Sequence, residues 1–288
     1  RYMRKPLSPS APIDAKRFKQ WIDRFGSYRA GVINVIIDSW LNQFETEDRD
    51  LAARVLDVVE YYSQSQIAAA YRDSLALLPG WSIDPSRRTG NWRFCPMSRS
   101  AGESGDAMLH SFRIANRLTG APHNKLFVGL SDLFRMPLLP VGDPDHLGGN
   151  DTVVFLDDFS GTGDQVCKTW NDPVTSYGAL LAGVGTVYLL VVAASVKAVK
   201  RVKAKTKIQV VPGNRLVEED NIFADECPHF TAADRKRLTH YGKIADPRRP
   251  KGFGSCGYVV VFQHRTPNNS IPILHADHDE WTGLFPRH

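Results

Sequence analysis

From Thr152 the chain runs through Val153, Val154, Phe155 and Leu156 into two adjacent acids, Asp157 and Asp158, and then through Phe159 into Ser160-Gly161-Thr162-Gly163. Consecutive apolar residues of this kind suit a strand buried on both faces, which calls for a parallel sheet with helices on each side. The Ser/Gly/Thr/Gly turn lets backbone N–H groups close around an anion at the start of the following helix. Asp157 and Asp158 stand where the strand is expected to end, placed to accept hydrogen bonds from two vicinal ribose hydroxyls just beyond the phosphate. In outline this is a phosphosugar site.

The neighbouring sequence supports an α/β class. Trp92–Met97 reads as a short strand, followed by a small-residue loop from Ser98 to Gly105 and a helical stripe of Met108, Leu109, Phe112, Ala115 and Leu118. Lys125–Leu130 reads as the next strand and Ser131–Asn150 as a long loop. Beyond the acid motif come a helix from about Gly163, a strand at Val187–Ala193, and later strands at Ile208–Val211 and Tyr258–Gln263. Strands alternating with helices indicate a mostly parallel sheet with crossover connections.

Residues 14–78 have a different character. Phe18, Trp21, Ile22 and Phe25 fall on one helical stripe, and Ile33, Ile36, Ile37, Trp40, Leu41 and Phe44 repeat it. This predicts an N-terminal bundle of about four helices. Pro79-Gly80 and the stretch from Pro85 to Gly90 break the periodicity, so the expected division is a helical domain over 1–85 and an α/β domain with a C-terminal tail over 86–288.

Composition bounds the remaining possibilities. Hydrophobic residues make up 42% of the 288, and no apolar run approaches the ~18 residues of a membrane helix. Cys95, Cys167, Cys227 and Cys256 are scattered without paired spacing and no secretory signal is visible, so a cytoplasmic protein with reduced thiols is expected. The net charge of +5 is a mild excess. Its distribution says more, because Lys197, Lys200, Arg201, Lys203, Lys205 and Lys207 follow one another with no acid between them. That run reads either as a solvated helix face or as an electrostatic contact with nucleic acid or another polyanion. His275-Ala276-Asp277-His278 and Cys227-Pro228-His229 lack a convincing metal-ligand spacing and read as surface polar residues, while Cys167 reads as a packing residue.

The motif from Asp157 to Gly163 resembles the ribose-phosphate signature of type I phosphoribosyltransferases. Asp157, Asp158, Thr162 and Gly163 match it, whereas Gln165 stands where that family usually places a Thr or Ser as one more phosphate donor. With the N-terminal helical segment and the ending Arg265–Leu274, Trp281 and Leu284–Arg287, nearly the whole chain resembles PRTase-CE, a phosphoribosyltransferase-like family of bacterial conflict systems.

The resemblance implies a type I phosphoribosyltransferase-like sheet preceded by the helical bundle. It implies phosphate binding by Ser160, Gly161, Thr162 and Gly163, and ribose or Mg²⁺ binding by Asp157 and Asp158, which would also be the catalytic acids. A pyrophosphate loop would use Arg99, Ser100, Gly102, Ser104 and Gly105, although turn geometry alone also explains those small residues. Ser131–Asn150 would be a mobile flap over the site. Its Asp132, Asp143 and Asp145 would repel pyrophosphate, so the ligand is left open between phosphoribosyl pyrophosphate and a nucleotide, dinucleotide or nucleic-acid end. The expected role is an effector of an antiphage system, retron-type systems with a reverse transcriptase included, performing glycosyl transfer or N-glycosidic cleavage. The alternative is a non-catalytic module that senses a nucleotide or docks a nucleic-acid-bearing partner. The oligomeric state stays open.

Overall fold

Every residue from Thr152 to Leu156 is buried in the computed structural model, as a strand covered on both faces requires. The structure describes residues 13–28, 33–97 and 104–287, with the backbone alone at 33–35 and 104–107. In chain order the elements are helices α1 (Ala15–Phe25), α2 (Ile33–Leu41) and α3 (Arg49–Val58), strand β1 (Glu60–Tyr62), helix α4 (Gln64–Ala76) and strand β2 (Trp92–Pro96). Helices α5 (Ser104–Ala115) and α6 (Leu130–Arg135), strand β3 (Thr152–Ser160), and helices α7 (Asp164–Trp170) and α8 (Tyr177–Leu180) follow. Strand β4 (Thr186–Ser195), helix α9 (Val196–Lys205), strand β5 (Gln209–Leu216), helix α10 (Ala232–Ala245) and strands β6 (Val260–Phe262), β7 (Asp277–His278) and β8 (Trp281–Thr282) complete the chain.

These elements form two compact units, one over Ser65–Leu216 and one joining Arg1–Gln64 to Val217–His288. The first unit holds a four-stranded sheet in the order β2-β3-β4-β5, parallel throughout. The register runs from Thr152 opposite Thr186 to Ser160 opposite Ala194, so the acid motif lies on an internal strand. The strand expected at Lys125–Leu130 is reduced to a single parallel bridge between Phe127 and Phe94. A 3₁₀ turn at Asn124–Leu126 and the start of α6 at Leu130 take the flanking residues. Counting that bridge, the chain builds the sheet in opposite directions on either side of the β2/β3 junction. Ligands of open parallel sheets bind at the C-terminal ends of the strands beside such a switch point.

The second unit differs from the expected N-terminal bundle. Its core combines Trp21, Phe25, Ile37, Trp40, Phe44 and Leu56 with Tyr241, Val259, Ile273, Trp281 and Phe285 from the far end of the sequence. The ring of Phe44 meets that of Trp281 edge-on at 5.3 Å, and Phe25 meets Phe285 at 5.2 Å. The indole N–H groups of Trp40 and Trp281 both donate to the carbonyl of Ile273, at 2.8 and 3.0 Å. Strand β1 pairs in parallel with β6, Glu60 opposite Val260. Of the stripes of α1 and α2, Trp21, Phe25, Ile37, Trp40, Leu41 and Phe44 are buried as expected, but against the C-terminal segment, while Ile36 is exposed. The stretch expected to separate domains is internal to the first unit, where Trp81 packs on Trp92 and Phe94 at 5.2 Å each.

Candidate phosphate and ribose site

Glycine at position 163 follows from the local backbone. Its φ is +71°, and it caps α7 in the left-handed region that side chains other than glycine's rarely adopt. A Cβ there would also stand 3.0 Å from Val202 and 3.1 Å from the carbonyl oxygen of Ala198, so α9 closes one side of the turn. Ser195, fully buried, fixes the same side. Its hydroxyl donates to the Gly161 carbonyl at 2.6 Å and accepts the Ala198 N–H at 2.9 Å, capping α9.

Gly161 and Gly163 are buried and Thr162 is half-buried. The Thr162 hydroxyl accepts the Asp164 N–H at 3.2 Å, and the Gly163 carbonyl accepts the Cys167 N–H at 3.0 Å. Among the described residues, the N–H groups of Thr162 and Gly163 themselves donate to no protein acceptor. Asp164 places a negative charge at the start of α7, where it ion-pairs with Arg201 of α9. Gln165 is exposed.

The strand does not end at the acids but continues to Ser160. Strand alternation sends neighbouring side chains to opposite faces. Here the Asp157 carboxylate turns back to accept the Asp158 N–H at 2.9 Å. Asp157 is half-buried and Asp158 is buried. Tyr71 of α4, which sequence reasoning missed, donates its phenol to the Asp157 carbonyl at 2.9 Å. Burial, reinforced by the charges of Asp158 and then Asp157, pushes the Tyr71 phenol well above its ordinary pKa, keeping it a proton donor. The only sequence signal was its place on an apolar helical stripe.

Of the expected pyrophosphate-loop residues, Arg99, Ser100 and Gly102 lie outside the described residues. Ser104 and Gly105 form the first turn of α5. Within the Ser131–Asn150 segment, Asp145 does not stand over the site. Leu133 and Leu147 are buried in the core of the sheet unit, which anchors the segment. Asp145 pairs with Arg93 at 3.1 Å and lies 3.8 Å from Lys125, and Arg93 is the second residue of β2. Asp151 accepts the N–H groups of Asn91 at 2.6 Å and Gly148 at 2.7 Å. These acids therefore serve the N-terminal end of the strands, opposite the motif. The repulsion expected from Asp145 does not arise, because a parallel crossover must return to that end before entering β3.

Mg²⁺ takes oxygen ligands and is commonly held by one or two carboxylates together with substrate phosphates and water. Asp157 and Asp158 beside an N–H-lined turn fit that mode. Among the described residues no group of three or more His, Cys, Asp or Glu side chains forms a dedicated cage. His275 and His278 instead bond to the backbone carbonyls of Ser270 and Ala245, at 3.2 and 2.9 Å. Burial raises the thiols of Cys167 and Cys227, in keeping with packing roles.

A parallel sheet flanked by helices, with paired acids leading through a Ser-Gly-Thr-Gly turn into a helix, is the layout of a phosphoribosyltransferase-like protein. The chain belongs to the PRTase-CE family, whose model matches residues 37–287. No curated protein matches it. Among solved structures, the AQ2163 protein from Aquifex aeolicus is similar at 13% identity, covering 65% of this chain and 84% of its own, with a TM-score of 0.32.

Proposed function

We propose that the C-terminal end of β3 binds the ribose 5-phosphate part of a nucleotide or phosphoribosyl ligand and acts at its anomeric carbon. The N–H groups of Thr162 and Gly163, which donate to no protein acceptor among the described residues and follow Asp157 and Asp158 in the chain, carry this reading. Ser160, Gly161, Thr162 and Gly163 would take the phosphate, and Asp157 and Asp158 the ribose hydroxyls. Mg²⁺, where bound by these acids, would neutralise a pyrophosphate leaving group. In glycosyl transfer the bond from the anomeric carbon to its leaving group breaks with the electron pair departing, and a nucleophile's lone pair forms the new bond. Positive charge spreads over the ring between those events, and fixed carboxylates beside it favour that charge. With a nucleobase as the leaving group, water as nucleophile would give N-glycosidic cleavage, its proton passing to the departing base. Membership in PRTase-CE supports placing this activity in an antiphage effector.

Titration calorimetry with ribose 5-phosphate, AMP and phosphoribosyl pyrophosphate in Mg²⁺, with mass spectrometry of products, tests the reading. Asp158→Asn is expected to weaken binding at least tenfold while leaving the protein folded. Equal affinity in Asp157→Asn, Asp158→Asn and the parent protein would overturn it. The exposed Gln165, in place of a third hydroxyl donor, favours a second reading in which the ligand is sensed without turnover. Binding and thermal stabilisation without product would establish that reading.

A further inference from the structure

We infer that the ligand of this site is the 3′-terminal nucleotide of an RNA strand, whose upstream phosphates lie along α9. The inference rests on the ribose-phosphate reading above and adds the substrate class. Helix α9 begins at the phosphate turn, tied to it through the Ser195 bond to Gly161, the close approach of Ala198 to Gly163 and the Arg201 pair with Asp164. Ala198 and Val202 are buried, leaving the other side of the helix to solvent. Lys197, Lys200, Arg201, Lys203 and Lys205 are all exposed, and the helix contains no acid. Among the described residues no ion pair involves Lys200, Lys203 or Lys205. Lys207, the last cation of the run, is set apart, since its ammonium donates to the carbonyls of Leu181 and Val184 at 2.7 Å each. The helix extends about 15 Å from the turn, room for two or three successive phosphates.

Strand direction follows from the chemistry of the two ends. If Asp157 and Asp158 hold both vicinal hydroxyls, those hydroxyls are free, and only the 3′ end of RNA offers a free pair. The rest of that strand leaves through the 5′-phosphate, the group held by the turn where α9 begins. A 5′-terminal nucleotide would leave through its 3′ oxygen, against the acids, and DNA lacks the 2′-hydroxyl. No aromatic residue occurs in α9, so contact there is with the backbone and tolerant of sequence.

Fluorescence anisotropy with short 5′-labelled oligonucleotides in Mg²⁺ tests this, with AMP binding measured in parallel. RNA ending in a free diol is expected to bind at least tenfold tighter than the same RNA with a 3′-phosphate or than the equivalent DNA. Its binding should weaken roughly 20-fold between about 50 and 200 mM salt, the response to three neutralised phosphates on a single strand. The triple variant Lys200→Glu, Lys203→Glu, Lys205→Glu should lose this RNA affinity while binding AMP as the parent does. Equal binding of diol, 3′-phosphate and DNA ends, or undiminished RNA binding by the triple variant, would overturn the inference. If AMP still binds in that case, the ribose-phosphate site stands without the RNA. If AMP also fails to bind, both readings fall.

Discussion

At Gly163 a single added methyl group meets two obstacles, the left-handed backbone at φ +71° and the wall of α9. A left-handed conformation costs a side-chain-bearing residue roughly 1–2 kcal/mol. Gly163→Ala is therefore expected to lower unfolding stability by at least that amount, read by urea denaturation, and to weaken phosphate ligands by displacing the turn. Tyr71→Phe removes only the hydroxyl that meets the Asp157 carbonyl. The loss expected is about 1 kcal/mol, the net value of one such bond, with ligand affinity changing less than in Asp158→Asn. A reversed order of affinities in calorimetry would make Tyr71 part of the binding site itself.

Between elements, Ser195 does two jobs with one hydroxyl, capping α9 and holding the Ser160–Gly163 turn. Ser195→Ala should cost about 1–2 kcal/mol from the lost cap. It should also weaken ribose 5-phosphate binding by loosening Gly161, whereas a cap serving the helix alone would leave affinity unchanged. Thermal melts with and without ligand separate the two contributions. The Ser131–Asn150 segment shows why loops resist sequence reading. Its Asp145 is visible in the sequence, but only the partners Arg93 and Lys125 show which end of the sheet it serves.

On the scale of the whole chain, the unit shared by the two termini is pinned by buried charge. Burial pulls the Asp234 carboxyl upward, but Arg54, bonded at 2.9 and 3.1 Å, together with Thr231 outweighs it and holds the group well below the usual carboxylate range. Asp48 accepts from Arg237 at 2.6 Å and from Tyr241 at 2.9 Å. Burial, and next the Arg287 cation, pushes the His275 imidazole down to about 4. Both groups bind fewer protons folded than unfolded, so both make stability fall with pH. His275 loses its contribution as pH falls from about 6.5 towards 4, and Asp234 below about 4. Denaturation midpoints across pH should show this two-stage decline, with the upper stage absent in His275→Gln. Deleting residues 1–64 should expose Leu238, Val259, Trp281 and Phe285 and give an aggregating product. The continuous segment 65–216, with its own sheet and core, should unfold cooperatively by itself.

The sequence by itself determined the elements whose cause is local. An unbroken apolar run makes Val153–Leu156 a doubly covered strand, Gly163 marks a left-handed turn, and the stripes of α1 and α2 require burial. It also carried the acids and the turn of the candidate site, because these are contiguous. Only the tertiary structure decided what each apolar face meets and which distant groups converge. It joined α1–α3 to Trp281 and Phe285, placed Tyr71 and Ser195 beside the motif, and put Asp145 at the opposite end of the sheet. The physical reason is that burial is non-directional: periodicity states that a face must leave water, while the partner is chosen by chain topology and packing.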